Sequence, residues 1–218
     1  MKSKFLVLML FLICLFSYGI VNAFSLPLLG KVIYIDPGHG GKDPGALAGN
    51  IEEADINLEI SFKLQEVLEK NGAIVYMTRY DDYDLSANNA SLRKRSDLSR
   101  RANIINESNA DMYISIHLNA DTSSTWKGAQ IFYDDVNSEN EKIAKIMQEQ
   151  LKIDLNTTRK YKKVTGDYLY QRVKIKGVLA EVGFITNPNE RYLLKQSEYQ
   201  YKIADSLSKG IITYFTDN

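Results

Sequence analysis

With 218 residues, of which 44% are hydrophobic and 25% charged, the chain has the composition of one globular domain, which excludes disorder, collagen-like repeats and a disulfide scaffold. Its 27 basic side chains balance 27 acidic ones, so it lacks the strongly basic footprint of a nucleic-acid binder. A single cysteine, Cys14, permits no internal disulfide, and the fold must rest on its own core.

Residues 1–23 read as a leader. Lys2 and Lys4 precede an apolar run from Phe5 to Val21, and Val21-Asn22-Ala23 is a small-residue cleavage site, the pattern of an exported chain. The run is only slightly shorter than the ~20 residues of a spanning helix, so retention as an N-terminal membrane anchor stays open. Without Lys2 and Lys4 the remainder carries 25 basic against 27 acidic groups, a formal charge of −2. Residues 24–30 follow as a linker, and residues 31–218 as one catalytic-sized domain.

Within that domain an apolar, β-branched stretch over 31–36 predicts a strand that stops at Pro37-Gly38-His39-Gly40-Gly41, a turn-dense loop. Ile56, Ile60, Leu64, Val67 and Leu68 keep one face of a helix over 53–70, closed by Asn71-Gly72. A strand over 73–78 completes a parallel crossover unit. Residues 79–91 read as a polar surface loop, and residues 92–109 as a helix leading into the strand 112–117. Further on lie a strand over 128–133, a helix over 139–155, a basic loop over 156–166, a strand over 178–182 and a closing helix over 199–215. The fold expected is α/β: a single three-layer domain whose twisted, mostly parallel sheet of five or six strands carries helices on both faces.

In open sheets of this kind, sites form beyond the carboxyl ends of the strands. The only two histidines, His39 and His117, fall at two such ends, and Glu181 falls on a third. A lone strand-end histidine is usually a hydrogen-bonded core residue. Two of them aimed at one crevice begin a zinc site, which in hydrolytic form takes three protein ligands and leaves one position open. With no cysteine to help, the third ligand is Glu53 or its neighbour Glu52 at the start of the first helix, although an acid in a first turn also simply complements the helix dipole. Glu181 lies inside the apolar run Val178-Leu-Ala-Glu-Val-Gly-Phe184, where an unpaired carboxylate would cost several kcal/mol. Either an arginine neutralises it, or apolar walls make it a general base and acid that takes a proton from water and hands it to a leaving amine.

Other chemistries lack their parts. There is no His-Glu-x-x-His helix, no Gly-x-Ser-x-Gly elbow, no dinucleotide glycine fingerprint and no Walker lysine. The basic run Arg93-Lys-Arg95 with Arg100-Arg101 reads as a solvated helix face, with a polyanion site as its alternative. Tyr161, Tyr168 and Tyr170 form a candidate partner or glycan surface, though 14 tyrosines make clustering by chance as good an account.

Five stretches together resemble the zinc-dependent N-acetylmuramoyl-L-alanine amidase family, the amidase-3 catalytic domain: Ile35 to Ala46, Glu53-Ala-Asp-Ile-Asn-Leu58, Thr78-Arg79, Ser115-Ile-His-Leu-Asn-Ala120 and Leu179 to Asn187. The resemblance spans roughly residues 30–216. It implies one zinc per chain held by His39, Glu53 and His117, with Glu181 catalytic, and the Asp-Ile-Asn-Leu that follows sets the register on Glu53 rather than Glu52. Ala54 departs from the lysine usual in the family, with little effect expected on the metal beyond a surface contact. The implied reaction is hydrolysis of the amide between N-acetylmuramic acid and the L-alanine of the peptidoglycan stem. A bare catalytic domain behind one leader, with no wall-binding repeats and no helix inserted to plug the site, is most similar to the sporulation branch. That branch implies cortex maturation in the intermembrane space of the forming spore and an accessory envelope lipoprotein as partner. A vegetative autolysin, or a non-catalytic peptidoglycan-binding module, would be the alternative.

Overall fold

The computed structural model describes residues 4, 6–14, 26–166 and 168–217. Residues 6–14 are helical, with apolar side chains exposed. No helix among the described residues is long and apolar enough to cross a membrane, and the expected cleavage site at 21–23 lies outside them. Residues 26–30, expected as linker, form a turn that inserts Leu28 into the main core, where its amide donates to the Asn71 carbonyl.

Alternation along three parallel strands sets the layers. The strand β1 (Val32–Pro37) is followed by a short hairpin, β2 (Leu47–Ala48) with β3 (Ile51–Glu52), the helix α1 (Glu53–Lys70) and β4 (Ile74–Met77). Next come α2 (Arg93–Glu107) and β5 (Met112–Asn119). They are followed by β6 (Gln130–Tyr133), α3 (Asn140–Leu155) and β7 (Lys162–Lys163). The chain closes with β8 (Gly177–Phe184), α4 (Pro188–Leu194) and α5 (Ser197–Thr216). The six-stranded sheet runs β4-β1-β5-β8-β6-β7. Only β6 against β8 is antiparallel.

Because side chains alternate across a strand, Ile33 and Ile35 of β1, Met112, Ile114 and Ile116 of β5, and Val178, Ala180 and Val182 of β8 share one face. They meet Ile60 and Leu64 of α1, Met147 and Leu151 of α3, and Leu207 and Ile211 of α5 in the main core. Burial of each such side chain contributes roughly 1.5–3 kcal/mol, so this face anchors the sheet. On the opposite face Tyr34 and Tyr113 pack with Ala102 and Ile105 of α2 and with Leu169, Tyr170 and Val173. Asp36, Ser115, His117 and Glu181 belong to that second face by the same alternation. The three-layer architecture is therefore asymmetric: three helices seal one face, and one helix with an irregular segment half-covers the other, leaving room above it for a site.

Local signals fix the ends. Asn71 stops α1 and Gly72 follows at φ +93°, the left-handed position where a glycine is least strained. Two expectations need correction, and one further element appears. Residues 156–166 are no free loop, since Lys162 and Lys163 pair with Phe132 and Tyr133 as an edge strand. Residues 188–194 form a helix, opened by the Asn187 side chain accepting from the amides of Asn189 and Glu190 with Pro188 beside it. Tyr170 is buried in the second core and lines a different cavity, whereas Tyr161, half-buried against Tyr133, and Tyr168 line separate surface clefts, so the three tyrosines do not share one surface.

Candidate metal and catalytic site

His39 sits two residues beyond β1 with φ +62°, flanked by Gly40 at +125° and Gly41 at +60°. A left-handed conformation costs a non-glycine residue roughly 1–2 kcal/mol, and the surroundings hold it there. Arg101 Nη2 donates to the His39 carbonyl at 2.6 Å, and Gly40 and Asp43 exchange backbone hydrogen bonds. Two further glycines make room for side chains. A Cβ on Gly38 would lie 2.3 Å from the His117 ring, and one on Gly45 would lie 2.7 Å from Glu53 Oε2.

Three donors converge in that space. Glu53, the first residue of α1 and only 4% exposed, places Oε1 3.2 Å from His39 Nε2 and 3.0 Å from His117 Nδ1. The Asn57 side chain and the Leu118 amide donate to the same oxygen, and the Ala46 amide donates to Oε2. Burial alone would push the Glu53 carboxyl up, but the hydrogen bonds and charges of His117 and His39 hold it far below the usual carboxylate range. Burial likewise disfavours protonated His39, yet Glu53 and Asp43 raise it above the ordinary imidazole value. His39 Nδ1 lies 3.0 Å from Asp43 Oδ2 without meeting hydrogen-bond geometry, so the contact is electrostatic proximity. The ligand-capable atoms of His39, Glu53 and His117 all fall within 4.8 Å of one another. With bonds of about 2.0–2.1 Å, neighbouring donors around tetrahedral zinc stand about 3.3 Å apart, close to the spacings here. A donor set of two imidazoles and one carboxylate with an open side suits a hydrolytic zinc.

Glu181 pairs in register with His117 across the parallel strands β5 and β8. Paired residues project from the same face, so its carboxylate stands beside the donor cluster. Both line one cavity of about 230 Å³, together with His39, Asp36, Lys94 and Tyr170. Glu52, the alternative to Glu53, is instead taken up in the β2–β3 hairpin. The helix α3, which lies between His117 and Glu181 in sequence, packs in the main core on the other face.

The residues that hold this site together lie largely outside the sequence-derived set. Asp36, 1% exposed, accepts from Thr78 Oγ1 at 2.6 Å, Ser115 Oγ at 2.8 Å and Arg101 Nη1 at 2.8 Å. Burial would raise its carboxyl, but Arg101 and these hydroxyls hold it below the ordinary aspartate value. Arg101 also pairs with Asp97 and donates to the Pro37 carbonyl. A second buried arginine, Arg79, donates to the carbonyls of Pro37, Gly38 and Ala54. Arg79 is thus no part of a surface loop, and Arg101 no part of a solvated face. One signal was available in the sequence: an aspartate ending an apolar strand requires a partner, the argument already applied to Glu181. Ala54 is 1% exposed, so the position where lysine is usual faces the interior at this backbone and loses no surface contact.

A profile described as N-acetylmuramoyl-L-alanine amidase matches residues 33–213. The chain is 48% identical over 223 residues to the germination-specific N-acetylmuramoyl-L-alanine amidase of Bacillus subtilis, covering 98% of this chain and 94% of that one. Its fold matches the CwlD amidase of Clostridioides difficile, solved in complex with the GerS lipoprotein, with a TM-score of 0.83 and 38% identity over 87% of this chain and 100% of that one. It also matches an N-acetylmuramoyl-L-alanine amidase of Clostridium difficile 630, with a TM-score of 0.76 and 28% identity over 84% and 96%.

Proposed function

The chain belongs to the N-acetylmuramoyl-L-alanine amidase family, and on that footing we propose that it cleaves the muramoyl-L-alanine amide of spore-cortex peptidoglycan, with His39, Glu53 and His117 holding one zinc and Glu181 moving the proton. The observation that carries this reading is the convergence of the three donors beside Glu181 in one cavity. Zinc supplies a Lewis acid that acidifies water and polarises an amide carbonyl. Glu53, held by Asn57 and the Leu118 amide, would balance part of the metal's charge. Glu181 accepts a proton at its carboxylate as water attacks and returns it to the departing alanine nitrogen. Arg101 and Arg79 hold the loop that carries His39 by its carbonyls.

The cortex assignment is supported by the name of the Bacillus subtilis relative. Action there requires export to the envelope, in keeping with a leader over residues 1–23, whether cleaved or kept as an anchor. A lipoprotein partner is supported by the complex in which the Clostridioides difficile enzyme was solved. A pure binding module would need no set of metal donors together with a carboxylate beside it, and this set is present. The test is metal content of purified residues 24–218, together with release of stem peptides bearing free amino-terminal L-alanine from defined muropeptides. One zinc per chain and release abolished by a chelator are expected. Zinc without release, with or without a lipoprotein partner, would count against hydrolysis.

A further inference from the structure

We propose that the basic cleft beside the catalytic cavity is the subsite for the carboxylates of the stem peptide, a reading that rests on the amidase function above and names what recognises its leaving group. The cleft, about 860 Å³, is lined by Arg93, Lys94, Arg95, Tyr168 and Arg172 among others, with no acidic side chain among the described residues of its wall. It adjoins the catalytic cavity, since Lys94 and Leu98 line both. A chain that is electrically neutral overall therefore gathers four cations along one exit from its catalytic centre.

The way these cations are held points to an external anion. Arg93 is satisfied by Asp84. Among the described residues Arg95 and Arg172 engage no carboxylate. Both lie over the Tyr168 ring instead, their guanidinium carbons 5.1 and 3.4 Å from its centroid, and Arg95 Nε donates to the Tyr168 hydroxyl at 3.1 Å. Hydrogen bonds from Ser99 and Arg95, and then the charges of Arg172 and Arg95, draw that hydroxyl below the ordinary phenol value, a sign of positive potential across the cleft. The ring contacts, with the hydrogen bonds from Arg95 Nε to the Tyr168 hydroxyl and from Arg172 Nη1 to the Tyr168 carbonyl, hold each guanidinium while leaving further N–H groups for a carboxylate. Placing cations in the first turn of α2 also opposes the helix dipole, so they do not serve the helix.

The ligand follows from the reaction. A peptide joined by its amino end to the lactyl group must leave the cavity carbonyl-end first, and it ends in a carboxylate, with more wherever its residues are acidic. Its charge is then complementary to the cleft beside the catalytic centre. A polyanion unrelated to the substrate would have no need of that adjacency.

The test uses two muropeptides of equal length, one with free stem carboxylates and one with carboxamides, given to the wild type and to an Arg95→Gln/Arg172→Gln variant. The wild type should prefer the free acid by about tenfold in kcat/KM, expressed mainly in KM, and raised salt should erode that preference. The glutamine variant should lose the preference with kcat nearly unchanged, and Arg95→Lys/Arg172→Lys, which keeps the charge, should retain most of it. Equal use of both substrates by the wild type, or an equal loss on both in the glutamine variant, would overturn the assignment. Calorimetric titration of the free stem peptides into the wild type reads the cleft without turnover. Charge-dependent binding that the glutamine variant lacks would support the subsite even if no muropeptide were cleaved, a result that would count only against hydrolysis. Absence of such binding, or equal competition by inorganic polyphosphate against acid and amide peptides, would reject the subsite while leaving hydrolysis standing.

Discussion

On the proposed reading, two glutamates of this site take two tasks because their environments differ. Glu53 is sealed between two imidazoles, and their hydrogen bonds outweigh the burial that would protonate it. A carboxylate held ionised in that way suits a metal ligand better than a proton carrier. Glu181 stands on a strand beside His117, in the wall of the open cavity, where a proton can be taken up and passed on. Glu181→Gln keeps the shape and every donor in the cluster, so it should retain full zinc occupancy while turnover falls by roughly 10²–10⁴, the usual contribution of general acid–base catalysis. Metal analysis and muropeptide hydrolysis on the same sample check this; loss of zinc in that variant would make Glu181 part of the metal shell and remove its assigned role.

At the scale of elements, α2 works as a brace as much as a covering layer. Through Arg101 it reaches across to the end of β1, ties Asp36 to Asp97 and holds the backbone on either side of the His39 loop. Arg101→Met would leave Asp36 charged and unpaired, which typically costs about 3–5 kcal/mol. The pH dependence has a defined sign. Asp36 is depressed in the fold, so its stabilising contribution is present above the ordinary aspartate value near 4 and is lost as pH falls through the lower folded value. Protonation also relieves the stranded carboxyl in the variant, where burial without Arg101 raises it, so the deficit measured by urea unfolding should be largest at neutral pH and shrink steadily as pH falls toward and below about 4. A deficit independent of pH would mean that packing, not charge, is what Arg101 supplies. This brace is also where sequence reading fell short. His39, Glu53, His117 and Glu181 were legible because each interrupts a strong local pattern: a histidine or acid at an apolar strand end, or an acid opening a periodic helix. Arg101 interrupts nothing, since in a run of arginines on an amphipathic helix a buried guanidinium looks like its solvated neighbours until the strand opposite is placed. The edge strand β7 is two residues long, too short for any period to register, whereas α4 carries a readable Asn-Pro start but, at seven residues, too few turns to show one.

For the molecule as a whole, the donors matter because they join parts that are otherwise independent. His39 belongs to the loop after β1, Glu53 to the start of α1 and His117 to β5, and Glu53 and His117 lie 64 residues apart in sequence. A metal that binds all three closes long loops of the unfolded chain and binds only the folded form, so its affinity becomes stability. At a free concentration 100 times Kd the gain is about 2.7 kcal/mol, and for a chain of this size each kcal/mol moves Tm by roughly 2–4 °C. Zinc added to chelator-stripped protein should therefore raise Tm by roughly 5–10 °C. The same addition should do nothing to His117→Ala, which keeps the main core but loses one of three donors. It should act on Glu181→Gln as on the wild type. A shift that survives His117→Ala would place the metal elsewhere on the molecule, and the mutual support of loop, helix and strand around Glu53 would then be a structural ion pair alone.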